Sequence, residues 1–189
     1  MREKILTGNE IDIIMTGYTA SYGISCILHN YEIELKENLS AELVEKAKMI
    51  SDEVLRTKLD KAIAESVDSS AIVYSAGEGG IFKALWDMAE KYRTGIVADI
   101  KKIPVRQEYI EICEYYNINP YMLNAKGSHL IMTAYGNRML RGLGSAGVRC
   151  ALIGYTVCSN DRIIVNGEEK RYIDSRIEDE LKKFGGLIK

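Results

Sequence analysis

The sequence predicts an α+β fold, a mixed sheet with helices packed on it. Short apolar runs of strand length recur at Ile13-Ile14-Met15, Ile96-Val97-Ala98, Leu130-Ile131-Met132 and Cys150 to Val157. Longer segments between them carry apolar residues at helical spacing. A third signal is Asn166-Gly167, a two-residue hairpin turn between Arg162–Val165 and Glu168–Ile173.

The elements follow in order. Asp12 to Thr16 is a strand that ends at Gly17. Gly17 to Gly23 is a loop, and Ile24 to Glu37 a helix whose buried stripe is Ile24, Ile27, Leu28 and Tyr31. Ser40 is the N-cap of a second helix, because its hydroxyl can accept a first-turn amide. Leu43, Ala47, Ile50 and Val54 share one face, which Leu55, Leu59 and Ile63 continue until Asp68-Ser69-Ser70. Ala71 to Tyr74 is a short strand.

Gly79-Gly80 opens a helix with Ile81, Leu85, Met88 and Tyr92 on one face, and Gly95 stops it. The strand 96–100 follows. Pro104 starts a helix over 105–117, with Val105, Tyr109, Ile112 and Tyr116 buried; Asn119-Pro120 ends it. Strand 128–134, a short helix over 137–146, strand 150–157, the hairpin and an amphipathic stretch over 177–184 complete the chain.

Composition bounds the function. With 189 residues, 47% hydrophobic, the chain suits one domain with a sizeable core. Residues 1–10 read as an extension and 11–189 as the domain. A net charge of −2 gives no basic excess for nucleic acid or an anionic membrane. No apolar run is long enough to span a bilayer, and Met1 to Ile5 opens no secretory signal, so a cytoplasmic protein is expected. Cys26, Cys113, Cys150 and Cys158 form no Cys-x-x-Cys pair, and His29 and His129 lie far apart. That spacing predicts free packed thiols and no metal centre.

The candidate ligand site is the loop Ser75 to Gly80. Gly77, Gly79 and Gly80 let an anion approach backbone amides, the next helix turns its N-terminus there, and Ser75 adds a hydroxyl. Glu78 opposes a phosphate unless it points away or binds a metal. Gly17, Thr19 and Ser21 are expected on the opposite wall, and Lys126 is the candidate positive charge. The alternative is a tight strand-to-helix turn that needs glycine for its backbone angles. No Gly-Lys-Ser or Gly-Lys-Thr is present, and no Ser-His-Asp order is readable, so no catalytic residue is assigned. Trp86, the single tryptophan, is expected at an edge.

Three stretches carry a family resemblance. The strand, loop and helix from Thr16-Gly17 through Gly23 resemble the start of the C-terminal domain in the family of aminoimidazole ribonucleotide synthetase (PurM) and the hydrogenase maturation factor HypE. Ser75-Ala76-Gly77-Glu78-Gly79-Gly80 and its helix resemble that family's Asp-Pro-Thr-x-Gly-Gly segment. Ile103-Pro104-Val105-Arg106-Gln107-Glu108, followed by Asn119-Pro120, resembles its Ile-Pro-x-Arg-x-Glu stretch and Asp-Pro loop. The match covers about residues 10 to 175.

The resemblance implies a three-layer α/β/α fold with a mixed sheet. It implies an ATP-dependent family in which a separate N-terminal domain supplies most of the nucleotide and metal site. ATP and magnesium are therefore implied only with such a partner subunit, and the chain is not expected to be catalytic alone. The family's acidic and Thr positions fall here on Ser75 and Gly77. HypE relatives end in a cysteine that carries a carbamoyl group to a nitrile, whereas no cysteine follows Cys158 here. Two functions remain: a phosphate- or nucleotide-binding accessory domain related to hydrogenase maturation, or a noncatalytic interaction module that kept the fold and lost the ligand site. A homo-oligomer is expected in either case.

Overall fold

The computed structural model describes residues 11–56 and 71–185. The expected continuation of the second helix through Leu59 and Ile63, its end at Asp68-Ser69-Ser70, and the extension 1–10 lie outside the described residues.

Among the described residues seven strands form one mixed sheet: β1 (Asp12–Thr16), β2 (Ile72–Ser75), β3 (Gly95–Asp99), β4 (His129–Thr133), β5 (Cys150–Val157), β6 (Arg162–Asn166) and β7 (Glu169–Tyr172). Their order is β2-β4-β1-β5-β3-β6-β7. Only β3 and β6 pair in parallel; the other neighbours are antiparallel. The four strands read from apolar runs lie in this one sheet, as expected.

Five α-helices accompany it among the described residues: α1 (Ser21–Asn38), α2 (Ala41–Arg56), α3 (Gly80–Tyr92), α4 (Gln107–Tyr115) and α5 (Gly136–Ser145). Strand side chains alternate between faces. Ile13, Met15, Ile96, Leu130, Met132 and Ile153 point to one face and pack with Ile81, Leu85 and Met88 of α3. Ile14 and Ile131 point to the other and meet Met139 and Leu143 of α5. The layers are therefore α/β/α. Each fully buried Ile, Leu or Met contributes about 1.5–3 kcal/mol.

A second core joins α1, α2 and α4 in a helical lobe around Ile24, Ile27, Leu35, Val44, Tyr109 and Ile112. Ser51 Oγ donates to Tyr109 Oη at 3.1 Å, which satisfies that buried phenol. Ser40 caps α2 as expected, its Oγ accepting from Leu43 N at 3.1 Å.

Several boundaries differ from the sequence reading. α1 begins at Ser21, inside the expected loop, and Ser21 Oγ donates to Tyr18 O at 3.0 Å. α4 begins at Gln107 and not at Pro104. Ile103, ahead of the proline, is extended at φ −69°, ψ 118°, and the Pro104 carbonyl accepts from Thr19 N at 2.9 Å. The hairpin turn falls one residue later, on Gly167-Glu168, since Asn166 pairs with Glu169. This register puts the positive φ of 64° on Gly167, where a two-residue turn requires it. The stretch 177–184 forms a 3-10 helix over Glu180–Phe184 only.

Candidate functional site

The Gly loop joins β2 to α3. Ser75 and Glu78 are exposed, while Ala76, Gly79 and Gly80 are buried. Gly79 and Gly80 both take positive φ, 75° and 67°. A Cβ on Gly80 would lie 2.5 Å from Tyr121 O, which excludes any side chain there. Gly77 differs: a Cβ on it would meet nothing within 4 Å.

Most of the loop's backbone groups are already paired. Ala76 N donates to Ser128 O at 2.9 Å, and Gly77 O accepts from Gly80 N and Ala125 N, each at 3.1 Å. Gly79 N donates to Asp179 Oδ2 at 3.0 Å, a buried contact between residues 100 apart. The start of α3 therefore holds a carboxylate of this chain, where its dipole and free amides favour negative charge. Gly77 N and Glu78 N meet no acceptor among the described residues, and they lie at the exposed lip.

The loop 119–128 links this region to the Gly17 loop. Ser128 accepts from Ala76 N through its carbonyl and donates through Oγ to Tyr18 O at 2.9 Å. The two glycine loops are thus neighbours, but their polar side chains are used differently. Thr19 and Ser21 are fully buried. Thr19 Oγ1 donates to Pro120 O at 3.2 Å, a bond between residues 101 apart, and Ser21 Oγ closes a local turn onto Tyr18 O, so both hydroxyls are taken by backbone carbonyls. Gly17 N donates to Arg149 O at 2.9 Å.

Lys126 is exposed, with Nζ 5.1 Å from the Tyr22 ring centre. Tyr22 neighbours the half-buried Cys26 thiol. Burial pushes that thiol's pKa up, and the Asp179 charge adds to the rise while Lys126 opposes it. Asp179, Tyr22 and Cys26 belong to this neighbourhood and were missed by sequence reasoning. Asp179 carries one readable signal, an Asp at the N-cap of the last helical stretch, where Oδ1 accepts from Leu181 N at 2.9 Å. Nothing local points from it to residue 79.

The remaining candidates are structural. Burial raises the Cys113 thiol to about 12, so it is un-ionised and inert near neutrality. Trp86 lies under the Arg162 guanidinium, 4.5 Å from its ring centre. Among the described residues no group of three or more His, Cys, Asp or Glu side chains could hold a metal ion.

No family model matches the sequence. A putative hydrogenase expression/formation protein of Methanocaldococcus jannaschii is 23% identical over 90% of this chain and 50% of its own length. The crystal structure of HypE from E. coli superposes with a TM-score of 0.67 at 18% identity, covering 95% of this chain and 54% of that one. The chain has the fold of the matched half of HypE. PurL of T. maritima, solved with ADP, matches at a TM-score of 0.54 and 13% identity over 92% of this chain and 25% of its own. Other HypE matches were solved with ATP and in a HypE–HypF complex. The chain spans about half the length of its HypE-like relatives. No described helix is long and apolar enough to cross a membrane.

Proposed function

We propose that this chain is the accessory, C-terminal-type half of a cytoplasmic HypE-like assembly in hydrogenase maturation. It acts with an N-terminal-type ATP-binding counterpart and not alone. One observation carries the reading: 95% of this chain matches only 54% of HypE. Phosphoryl chemistry needs placed metal ligands and charge neutralisation, and the counterpart would supply most of both.

This half would present the lip of the Gly loop to phosphate oxygens, using Ser75, the amides of Gly77 and Glu78, and Lys126. Gly79 and Gly80 shape the turn, and Gly17, Thr19 and Ser21 hold the neighbouring wall. A solved HypE–HypF complex supports a HypF-like protein as a further partner.

The test is magnesium-dependent ATP hydrolysis with and without a HypE N-terminal half expressed separately. Background hydrolysis alone and turnover on mixing is the expected result. Turnover by this chain alone, lost in Ser75→Ala, would overturn it.

A second reading, a noncatalytic interaction module, draws on the Asp179 contact. That carboxylate already takes Gly79 N, and the hydroxyls of Thr19 and Ser21 are buried. It predicts that neither phosphate nor ATP raises the melting temperature of the isolated chain or of the mixture.

A further inference from the structure

Charge is spread unevenly along the chain. Between Glu114 and Asp161 no Asp or Glu occurs, yet Lys126, Arg138, Arg141 and Arg149 do, in a protein of net charge −2. Arg138 and Arg141 lie on α5, and Arg149 on the stretch from α5 into β5. All three are exposed, and none has an ion-pair partner among the described residues. Arg149 is nonetheless held in place. Its carbonyl accepts from Gly17 N at 2.9 Å, and its guanidinium lies 5.3 Å from the Tyr18 ring centre.

Beside this arginine runs a groove of about 670 Å³. One side is the segment from the 3-10 turn Ile100–Lys102 to Val105, and the other is α5, through Leu140 and Gly144. Pro104, Val105, Leu140, Val148 and Ala151 make the lining mostly apolar, while Lys101, Lys102 and Arg149 charge it. No carboxylate lines it. Lys102 is partly engaged, with Nζ 3.9 Å from Asp99. Lys101, like Arg149, has no ion-pair partner among the described residues. Gly144 stands in the last turn of α5, and a Cβ there would meet nothing within 4 Å. Glycine weakens a helix relative to alanine, and no neighbour in this chain requires it. Its effect is a wall without a side chain, against which another backbone can lie.

We propose that this groove docks an extended acidic peptide segment of a partner protein. An apolar side chain sits on the lining, and carboxylates reach Lys101, Arg149 and Arg141, the last three residues before Gly144 on the α5 surface. A phosphate group is the poorer occupant. The groove meets α5 at its C-terminal end, where the dipole disfavours a nearby anion, and the cations stand on separate segments. Side-chain carboxylates reach outward to those cations while the peptide backbone stays on the apolar lining. Nucleic acid finds no stacking surface, since no aromatic residue lines the groove. The site is distinct from the lip of the Gly loop and needs no ATP-binding counterpart.

Fluorescence anisotropy with the full chain tests this, using a labelled panel of short peptides in which Asp and Glu flank one Leu, Met or Phe. Binding that weakens as salt rises is expected. Arg149→Glu and Lys101→Glu should each weaken it about tenfold or more. Gly144→Leu would fill the groove and should abolish binding without lowering the melting temperature; should it unfold the protein, the Arg149→Glu and Lys101→Glu results decide. Lys182→Glu, an equal charge change at an exposed lysine elsewhere, should leave binding unchanged. No binding across the panel would overturn the proposal. So would binding indifferent to a folded Gly144→Leu, or equal binding of a peptide with Ser in place of the apolar residue. Tighter binding of phenyl phosphate or a single-stranded oligonucleotide, lost in Arg149→Glu, would also overturn it and give the groove to that ligand. The assay contains neither ATP nor a counterpart, so its failure leaves the phosphate-binding reading of the Gly loop untouched.

Discussion

The loops over residues 17–23 and 75–80 look alike in sequence: each follows a strand, carries small and hydroxyl residues, and leads into a helix. In the structure they part company. The first spends its donors internally, with Thr19 and Ser21 fully buried and hydrogen-bonded to backbone carbonyls. The second is divided along its length. Gly79 and Gly80 are locked by positive φ and close neighbours, while Ser75, Gly77 and Glu78 form an accessible rim. A glycine-rich loop is therefore not one kind of signal. What matters is whether its amides still lack acceptors and whether a Cβ would find room.

The sharpest test of that division is Gly80→Ala. Its Cβ would press on the backbone oxygen of Tyr121 at 2.5 Å, at a φ of 67°. A loss of about 2–4 kcal/mol is expected in denaturant unfolding. A neutral result would remove the claim that this glycine is structural.

Next comes Thr19→Val, which keeps the volume and leaves Pro120 O without its hydroxyl donor. A loss of about 1–3 kcal/mol is expected, with no change in any anion binding. Weaker phosphate or ATP protection at unchanged stability would return Thr19 to the ligand site. Asp179→Ala should cost roughly 1–2 kcal/mol, since it strips an acceptor from Gly79 N and Leu181 N. If it also raises anion affinity, measured by calorimetry with phosphate, the seat at α3 is a real one that Asp179 fills.

Gly77→Ala is the smallest change, expected within about 0.5 kcal/mol because the space around it is open. A melt as damaging as Gly80→Ala would erase the distinction between rim and turn. Acid titration gives a reference remote from both loops. Hydrogen bonds from Lys36 and Lys48 hold the Glu32 carboxyl at about 2, below its usual 4.5. Its folded pKa is depressed, so its contribution is present above 4.5 and is lost as pH falls toward 2. Glu32→Gln should flatten the stability profile in that window only.

The strands at 12–16 and 150–157 were legible because Ile13-Ile14-Met15 and Cys150 to Val157 are apolar over strand lengths. The helical stripes through Ile24, Ile27 and Leu28, and through Tyr109 and Ile112, were legible for the same local reason. Strand order was not. β1 pairs with β4 and β5, more than a hundred residues onward, and periodicity holds no information on such partners. The site was half legible. Glycine marks where the backbone turns, but the acceptor of the Gly79 amide sits at residue 179. Pro104 misled because its suitability for a first helical position was overridden by a distant donor, Thr19 N.

That bond from Gly79 to Asp179 also bears on the order of assembly. As the polypeptide is synthesised, the amide at the start of α3 must wait 100 residues for its acceptor. Sheet pairing by β4 and β5 is complete in sequence before it arrives. The bond is thus a late, long-range closure, of the kind whose loop-closure entropy slows folding without requiring much of the final stability. Until Asp179 docks, the helix start stays uncompensated and open to other anions, so the nascent or partly unfolded chain would differ from the finished one at this spot.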